Sequence, residues 1–175
     1  DFSRPRSNGI NAITIHEGDM LLEARLTNGN NEIIIANRKG RAIRFNESKV
    51  RSMGRNAAGV RGMTLDGPKD GVVGMVCVDP NDMLVTIFVV SEGGNGKRTA
   101  LEDYRVTNRG GKGVKTMKIT EKTGDLIAIK DVFDMDEMMI TTKQGVIIRM
   151  PVETLRVMGR ATQGVRVIKL DKKDQ

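Results

Sequence analysis

Two segments of the chain combine residue types that could do chemistry. The first, Gly93–Thr99, places Lys97 after glycines, as do loops that cradle the phosphates of a nucleotide. Such a loop needs Gly five residues before its Gly-Lys pair and Ser or Thr directly after the Lys, but Ser91 and Arg98 stand there. The second segment, Asp131–Glu137, has carboxylates that could bind calcium, yet it lacks the loop glycine and the ligand spacing. We therefore interpret both segments as turns between strands.

Three single residues are candidates for catalysis or metal binding. His16 is the only histidine, and neither a second His nor a nearby Cys completes a zinc site. Cys77 is the only cysteine, so it forms no internal disulfide, and we expect it to pack within the apolar run Val72–Val78. Tyr104 is the only tyrosine and could act as a nucleophile, but its place in the repeats described below indicates a structural role or a phosphate contact. The sequence thus predicts no catalytic residue, no metal site and no cofactor in this chain.

The basic residues are a third group that could have a chemical role, namely the binding of an anion. A net charge of +7 and a pI near 9.8 favour an anionic partner. Bases concentrate in Ser48–Gly62, Gly96–Lys118 and Lys143–Lys169, whereas acids gather in Asp79–Asp82 and Asp131–Glu137. Aromatic residues make up only 3%, which argues against stacking on single strands, and no basic recognition helix is evident. We expect phosphate contacts to duplex DNA from Arg51, Arg55, Arg61, Lys97, Arg98, Arg105, Arg109, Lys112, Lys115, Arg156, Arg160 and Arg166.

Internal repeats must position these residues. A glycine followed by alternating apolar and polar residues recurs about every fifty residues, at Gly9, Gly59, Gly113 and Gly164. A segment that begins and ends with arginine precedes the last three, at Arg51–Arg55, Arg105–Arg109 and Arg156–Arg160. A third similarity aligns Gly40, Gly96 and Gly145, each next to a short strand. These signals divide the chain into the tail of an earlier unit at 1–17 and complete repeats at 18–66, 71–120 and 124–170.

Alternation and turn residues predict four strands in each repeat. The predicted strands are Leu21–Leu26, Glu32–Asn37, Ala42–Phe45 and Val60–Leu65; Val72–Val78, Met83–Val90, Lys97–Leu101 and Val114–Ile119; and Leu126–Val132, Met138–Thr142, Val146–Met150 and Val165–Leu170. Glu47–Met53 and Val152–Met158 are predicted to form single helical turns. Four strands per repeat are typical of propeller blades, so we predict an all-β, propeller-like domain of about three and a half blades. Because a closed propeller usually needs at least four, we expect a piece of a larger ring or an open arc, whose free edges would favour self-association. No apolar stretch approaches the ~20 residues of a membrane helix.

Several of these motifs resemble one family. The runs Phe45–Met63, Gly96–Tyr104 and Val157–Val165 resemble the C-terminal DNA-wrapping domain of gyrase A proteins, and the similarity covers essentially the whole chain. The topoisomerase IV counterpart is a weaker match. The family's domain is a six-bladed β-pinwheel in which neighbouring blades exchange strands, so the resemblance implies its last three blades and a fragment of another. Thr107–Gly113 resembles the family's seven-residue box at five positions but departs at Thr107 and Asn108, so the box itself is expected upstream.

The resemblance also implies a function. Duplex DNA would wrap around the basic rim and be presented with a positive crossover, which biases an ATP-dependent type II topoisomerase, DNA gyrase, toward negative supercoiling. The catalytic tyrosine and the ATP and Mg sites would lie elsewhere in an A2B2 holoenzyme. Its partners would be the rest of the gyrase A protein and the gyrase B protein, in the bacterial cytoplasm and associated with the nucleoid. Two alternatives stay open: a propeller scaffold for an acidic protein, and a topoisomerase IV C-terminal domain.

Overall fold

The computed structural model describes residues 2–4 and 6–171 and is built almost entirely from short antiparallel strands. Within these residues the strands are β1 (Glu32–Asn37), β2 (Arg41–Asn46), β3 (Val72–Val78), β4 (Thr86–Ser91), β5 (Asn95–Ala100), β6 (Val114–Lys115), β7 (Leu126–Val132), β8 (Glu137–Thr141), β9 (Ile147–Pro151) and β10 (Val165–Arg166). Single 3-10 turns follow three of them, at Glu47–Lys49, Leu101–Asp103 and Val152–Thr154. The described residues contain no helix that is long and apolar enough to cross a membrane.

Three sheets are formed, and each begins from a tight hairpin. The first has the order β3-β1-β2-β6, the second β10-β5-β4-β7, and the third is the hairpin β8-β9. The hairpins turn at equivalent glycines, since the amides of Gly40, Gly94 and Gly145 donate to the carbonyls of Asn37, Ser91 and Thr142. The sequence alignment of Gly40 with Gly96 was therefore displaced by two residues, and Gly94 is the equivalent turn residue. The all-β fold class is confirmed.

Each four-stranded sheet takes strands from two consecutive repeats. In the first sheet, β1 and β2 come from repeat 18–66, whereas β3 and β6 come from repeat 71–120. In the second sheet, β4 and β5 are joined by β7 and β10 from the following repeat. The four strands of one sequence repeat therefore do not form one sheet, because the first and last strands of each repeat pair with the hairpin of the preceding one.

Strand exchange also explains where the predicted strands were wrong. Leu21–Leu26 and Val60–Leu65 contain no strand. Their equivalents β3 and β6 pair with the preceding hairpin, and no such hairpin precedes residue 21 in the described part of the chain. Val114–Ile119 and Val165–Leu170 shorten to two residues each, since only Val114–Lys115 and Val165–Arg166 pair. The predicted turn helices shorten likewise, to Glu47–Lys49 and Val152–Thr154.

The remaining strands agree with the sequence pattern. The predicted bounds of Glu32–Asn37, Val72–Val78 and Leu126–Val132 are confirmed. The others shift by one to three residues. These strands are rich in the β-branched residues that suit a pleated, buried surface, and their apolar side chains fill the space between sheets.

The core lies in layers between successive sheets. Ile34 and Val76 of the first sheet pack with Val89 and Ile129 of the second, in one continuous buried cluster. A second cluster joins Phe88, Val132, Val152 and Leu155 to the third hairpin, and a third covers the other face of the first sheet around Phe45 and Met63. Sheets stacked face to face in this way leave the connecting loops at the surface, where the basic residues concentrate.

Candidate nucleic-acid interface

A glycine directly precedes each of the two short exchanged strands, β6 and β10, and the reason is steric. Gly113 has a φ of 72° and Gly164 a φ of 74°, in the left-handed region that side chains disfavour. A Cβ atom on Gly164 would lie 2.6 Å from the carbonyl oxygen of Gly96, and one on Gly113 would meet the backbone of Ala42. Glycine therefore lets the exchanged strand approach the preceding hairpin closely enough to pair with it.

The four glycine-containing segments stack on one another through backbone hydrogen bonds. We name the segments 9–14, 55–64, 109–118 and 160–166 together the loop ladder. The amide of Thr14 donates to the carbonyl of Ala57 (3.1 Å), that of Thr64 to Gly111 (2.9 Å) and that of Lys118 to Thr162 (3.0 Å). These three contacts occupy equivalent positions in successive repeats, so the ladder has the same geometry at each step.

Three arginines repeat a second contact along the loop ladder. The guanidinium NH1 of Arg55 donates to the carbonyl of Asn11 (3.3 Å). Arg109 donates in the same way to Arg61 (3.1 Å), and Arg160 to Lys115 (3.1 Å). Each acceptor is the second residue after the repeated glycine of the preceding segment. All three arginines are half-buried.

Most of the predicted DNA-binding residues lie at the surface. The side chains of one group are exposed: Arg51, Arg61, Arg105, Lys112, Lys115, Arg156 and Arg166. Of these, Lys112 forms an ion pair with Asp66 (3.2 Å), which together with Arg41 holds the pKa of that carboxyl below its usual range. One equivalent position is occupied by the exposed residues Arg61, Lys115 and Arg166. The loop ladder therefore presents a basic side chain at the same place in three successive segments.

Two residues of the predicted set lie in the interior and require a correction. Lys97 is 0% exposed and Arg98 6% exposed, so neither side chain is available to a phosphate at the surface. The ammonium of Lys97 donates to the carbonyls of Gly159 (2.7 Å) and Arg160. Burial lowers the pKa of Lys97 to about 8. The buried ammonium therefore holds the backbone of the basic loop of the following repeat in place at Gly159 and Arg160.

Arg98 makes a similar internal connection. Its Nε donates to the carbonyl of Leu155, and its NH1 pairs with the carboxylate of Asp134. The backbone returns the contact, since the amide of Met158 donates to the carbonyl of Arg98 (2.9 Å). Lys97 and Arg98 thus position the segment that bears Arg156 and Arg160.

The sequence did not single out Arg44, which plays the role of Arg98 one sheet earlier. The NH1 of Arg44 donates to the carbonyls of Leu101 (2.7 Å) and Tyr104 (3.0 Å), while its other nitrogens bind the carboxylate of Glu32. The signal that could have found it is the spacing from the hairpin glycine. Arg44, Arg98 and Arg149 each stand four residues after a turn glycine.

The other sequence candidates lie at ordinary structural positions. Gly93–Thr99 contains the β4-β5 turn, and Asp131–Glu137 spans the turn from β7 to β8. His16 is exposed, and Cys77 is half-buried with its thiol pKa raised by burial. Tyr104 is buried and its hydroxyl bonds to that of Thr116, and burial raises its pKa to about 12, which opposes the ionisation that a nucleophile needs. Among the described residues, no group of three or more His, Cys, Asp or Glu side chains could hold a metal ion.

Comparison with known proteins gives a consistent family. The model of a family described as the DNA gyrase C-terminal domain, a β-propeller, matches residues 31–79, 86–132 and 136–175. Each matched segment begins at a hairpin of the structure. The DNA gyrase A protein of Staphylococcus epidermidis is 46% identical over 97% of this chain, which spans 19% of that relative's length.

Solved structures share the same architecture. The C-terminal domain of a DNA topoisomerase IV superposes with a TM-score of 0.89 at 23% identity, covering 99% of this chain and 53% of that one. A DNA gyrase A C-terminal domain superposes with a TM-score of 0.84 at 26% identity, covering 94% of this chain and 55% of that one. At 23% identity the first likeness concerns the fold alone.

Proposed function

The chain belongs to the DNA gyrase C-terminal domain family, and from this premise we propose that it binds duplex DNA along the loop ladder and bends it. The observation that supports the proposal best is the equivalence of Arg61, Lys115 and Arg166. They are exposed at the same position in three successive segments of the loop ladder, which are joined by hydrogen bonds. A duplex carries phosphates at regular intervals, so a regular row of cations suits it. Family membership extends the proposal to a part in a type II topoisomerase.

The local structure of the ladder explains why the side chains of Arg61 and Lys115 face solvent. The residue after the repeated glycine is half-buried at Val60 and Val114, and in an extended backbone the next side chain points to the opposite side. The carbonyl groups of Arg61 and Lys115 accept hydrogen bonds from Arg109 and Arg160. The backbone is therefore fixed beneath these two exposed cations, which reduces the entropy lost when they meet a phosphate.

Binding of this kind reads the DNA backbone and not its sequence. Contacts from Arg and Lys to phosphates position a duplex without distinguishing bases. Additional cations flank the row, namely Arg51, Arg105, Lys112 and Arg156. Bending a site of 20–30 base pairs costs on the order of 1–6 kcal/mol, and phosphate contacts spread over several repeats would offset that cost.

We extend the proposal to the whole protein of which this chain would be a part. Wrapped DNA would be presented with a positive crossover to a strand-passage core, and ATP-driven strand passage would then introduce negative supercoils. The rest of the gyrase A protein, together with the gyrase B protein, would supply the catalytic tyrosine and the ATP and Mg sites, in an A2B2 assembly in the bacterial cytoplasm at the nucleoid. This chain would contribute DNA geometry and no catalytic residue.

The decisive test is the topology of nicked circular DNA that is religated in the presence of the chain. Chiral wrapping predicts a shift in linking number that grows with protein concentration and disappears at high salt. The test variant combines Arg61→Gln, Lys115→Gln and Arg166→Gln and should abolish the shift in linking number. Its circular dichroism spectrum should stay that of the wild type, which controls for loss of the fold. A linking number that is unchanged under conditions of saturated DNA binding would reject wrapping and leave binding alone.

A nuclease-treated pull-down separates this function from the scaffold alternative. If the chain captures an acidic protein whether or not nucleic acid has been digested, and binds no duplex in purified form, the protein-scaffold interpretation replaces the DNA-binding one. Loss of all capture after nuclease treatment supports the proposal.

A further inference from the structure

We propose that Arg55, Arg109 and Arg160 are positioning residues that set the step between successive DNA-binding loops, and that they do not themselves neutralise phosphates. This inference rests on the proposed function. It reassigns three residues that the sequence had placed among the phosphate contacts.

Arg109 shows the contact most completely. Its Nε donates to the carbonyl of Lys49 (2.8 Å) and its NH1 to the carbonyl of Arg61 (3.1 Å). Both acceptors belong to the connection between β2 and β3 of the preceding repeat, Lys49 in its 3-10 turn and Arg61 in its loop-ladder segment. The planar guanidinium, with donors in a fixed fork, is suited to joining two carbonyls in this way.

The acceptors explain what the contact controls. Arg61 and Lys115 accept through their carbonyl groups from Arg109 and Arg160, and their own side chains are exposed cations of the ladder. Arg55 makes the equivalent bond to Asn11. Arg109 and Arg160 thus each tie the backbone beneath one cation to the loop of the next repeat, so the spacing between cations depends on them.

Neighbouring contacts hold the arginines in this orientation. Arg109, Arg160 and Arg55 are half-buried, unlike the exposed Arg105 and Arg156 of the same loops. The carbonyl of Arg160 is bound by the buried ammonium of Lys97. Beside Arg109, the amide of Gly110 donates to the carbonyl of Gly62 (2.6 Å). These bonds fix the backbone at Arg109 and Arg160, whose side chains reach the carbonyls of Arg61 and Lys115 in the preceding repeat.

A comparison of charge-conserving and charge-removing variants tests the inference. Arg109→Lys keeps the charge but cannot reproduce the fork, and Arg109→Gln removes both. Duplex affinity is measured by fluorescence anisotropy across a salt series. We expect both variants to bind about tenfold more weakly at fixed salt, as for one lost charged hydrogen bond, with the wild-type slope of log affinity against log salt.

The control Arg105→Gln lies in the same loop and is exposed, so its slope should fall by about 0.9, as for one lost phosphate contact. Full recovery of affinity by Arg109→Lys would overturn the inference, since charge alone would then suffice. A slope reduced by about 0.9 in Arg109→Gln would overturn it as well, because Arg109 would then be a phosphate contact.

Hydrogen exchange supplies a readout that needs no DNA. The amides of Thr64 and Gly110 bond across the step that Arg109 spans, so both should exchange faster in Arg109→Lys and Arg109→Gln, while amides of β1 keep their wild-type rates. Unchanged exchange at Thr64 and Gly110 would overturn the inference. If the wild-type chain bound no duplex, the proposed function would fail, and this exchange experiment would still decide the role of Arg109.

Discussion

Gly113 is packed so closely against Ala42 that a Cβ atom on the glycine would lie 2.6 Å from the carbonyl carbon of Ala42. The contact joins residues from two consecutive repeats and stands at the start of the exchanged strand β6, where Val114 pairs with Ala42. It shows that the pairing of β6 with β2, which involves only two residues of each strand, leaves no room for a side chain at this point.

The first prediction compares two glycines that share a positive φ. Gly113→Ala must strain that φ and displace the backbone of Ala42, whereas Gly59→Ala strains the φ with open space around it. We expect Gly59→Ala to lower the free energy of unfolding by about 1–2 kcal/mol and Gly113→Ala by about 3 kcal/mol or more. Urea unfolding measures both. Equal losses would show that β6 pairing adapts to a side chain.

The second prediction concerns equivalent arginines in two sheets. Arg44 is held against the buried Glu32 and the carbonyls of Leu101 and Tyr104. Arg44→Gln leaves that carboxylate buried without its cation, so we expect a loss of about 3–5 kcal/mol in the free energy of unfolding. The matched control Arg149→Gln breaks an exposed pair with Glu137 and should change stability by less than about 1 kcal/mol.

Thermal and urea unfolding of the two arginine variants decide the matter. A similar loss of unfolding free energy in both variants would mean that burial of the pair between Arg44 and Glu32 does not increase its contribution to stability.

The third prediction follows from the pKa of Lys97, which burial lowers from 10.5 to about 8. Between these pH values the unfolded chain holds a proton that the folded chain has released, so Lys97 makes stability rise with pH. Lys97→Met lacks this effect. We therefore expect the unfolding free energy of the wild type, minus that of Lys97→Met, to increase from about pH 8 to pH 10.5 and to be flat below about pH 7.

Lys130→Met, at an exposed lysine of β7, serves as the control and should show no such increase. Tyr104, whose pKa is raised from 10.0 to about 12, lets stability fall as pH rises through that range, because its phenol is ionised in the unfolded chain first. This effect is common to all three proteins and cancels in the differences. A flat difference for Lys97→Met across the range would contradict the prediction.

The fourth prediction tests the row of exposed cations one residue at a time. Arg61→Gln, Lys115→Gln and Arg166→Gln should each reduce the salt slope of duplex binding by about 0.9, with additive effects and no preference for one DNA sequence. The control Lys130→Gln lies outside the loop ladder and should leave the slope unchanged. Anisotropy titrations on two unrelated duplexes provide the measurement, and a loss confined to one sequence would indicate base recognition instead.

Much of the fold could be predicted from local patterns in the sequence. Alternating apolar residues and turn glycines are local signals, so they identified β1, β3 and β7 at their observed bounds and predicted the all-β class. The repeated segments also identified the family, because linked motifs in one order do not depend on knowing how the strands pair. The accumulation of basic residues in the loops is likewise visible without a structure.

Only the tertiary structure decided which strands share a sheet and which cations face solvent. Pairing of β6 with β2 joins Val114 to Ala42 across a whole repeat, and no local pattern in the sequence specifies that partner. Lys97 and Lys115 both stand in basic segments next to glycine-rich turns, yet one is buried against the carbonyls of Gly159 and Arg160 and the other is exposed. The difference arises because exposure depends on what the neighbouring repeat packs over each side chain, and that is settled only when the repeats are stacked.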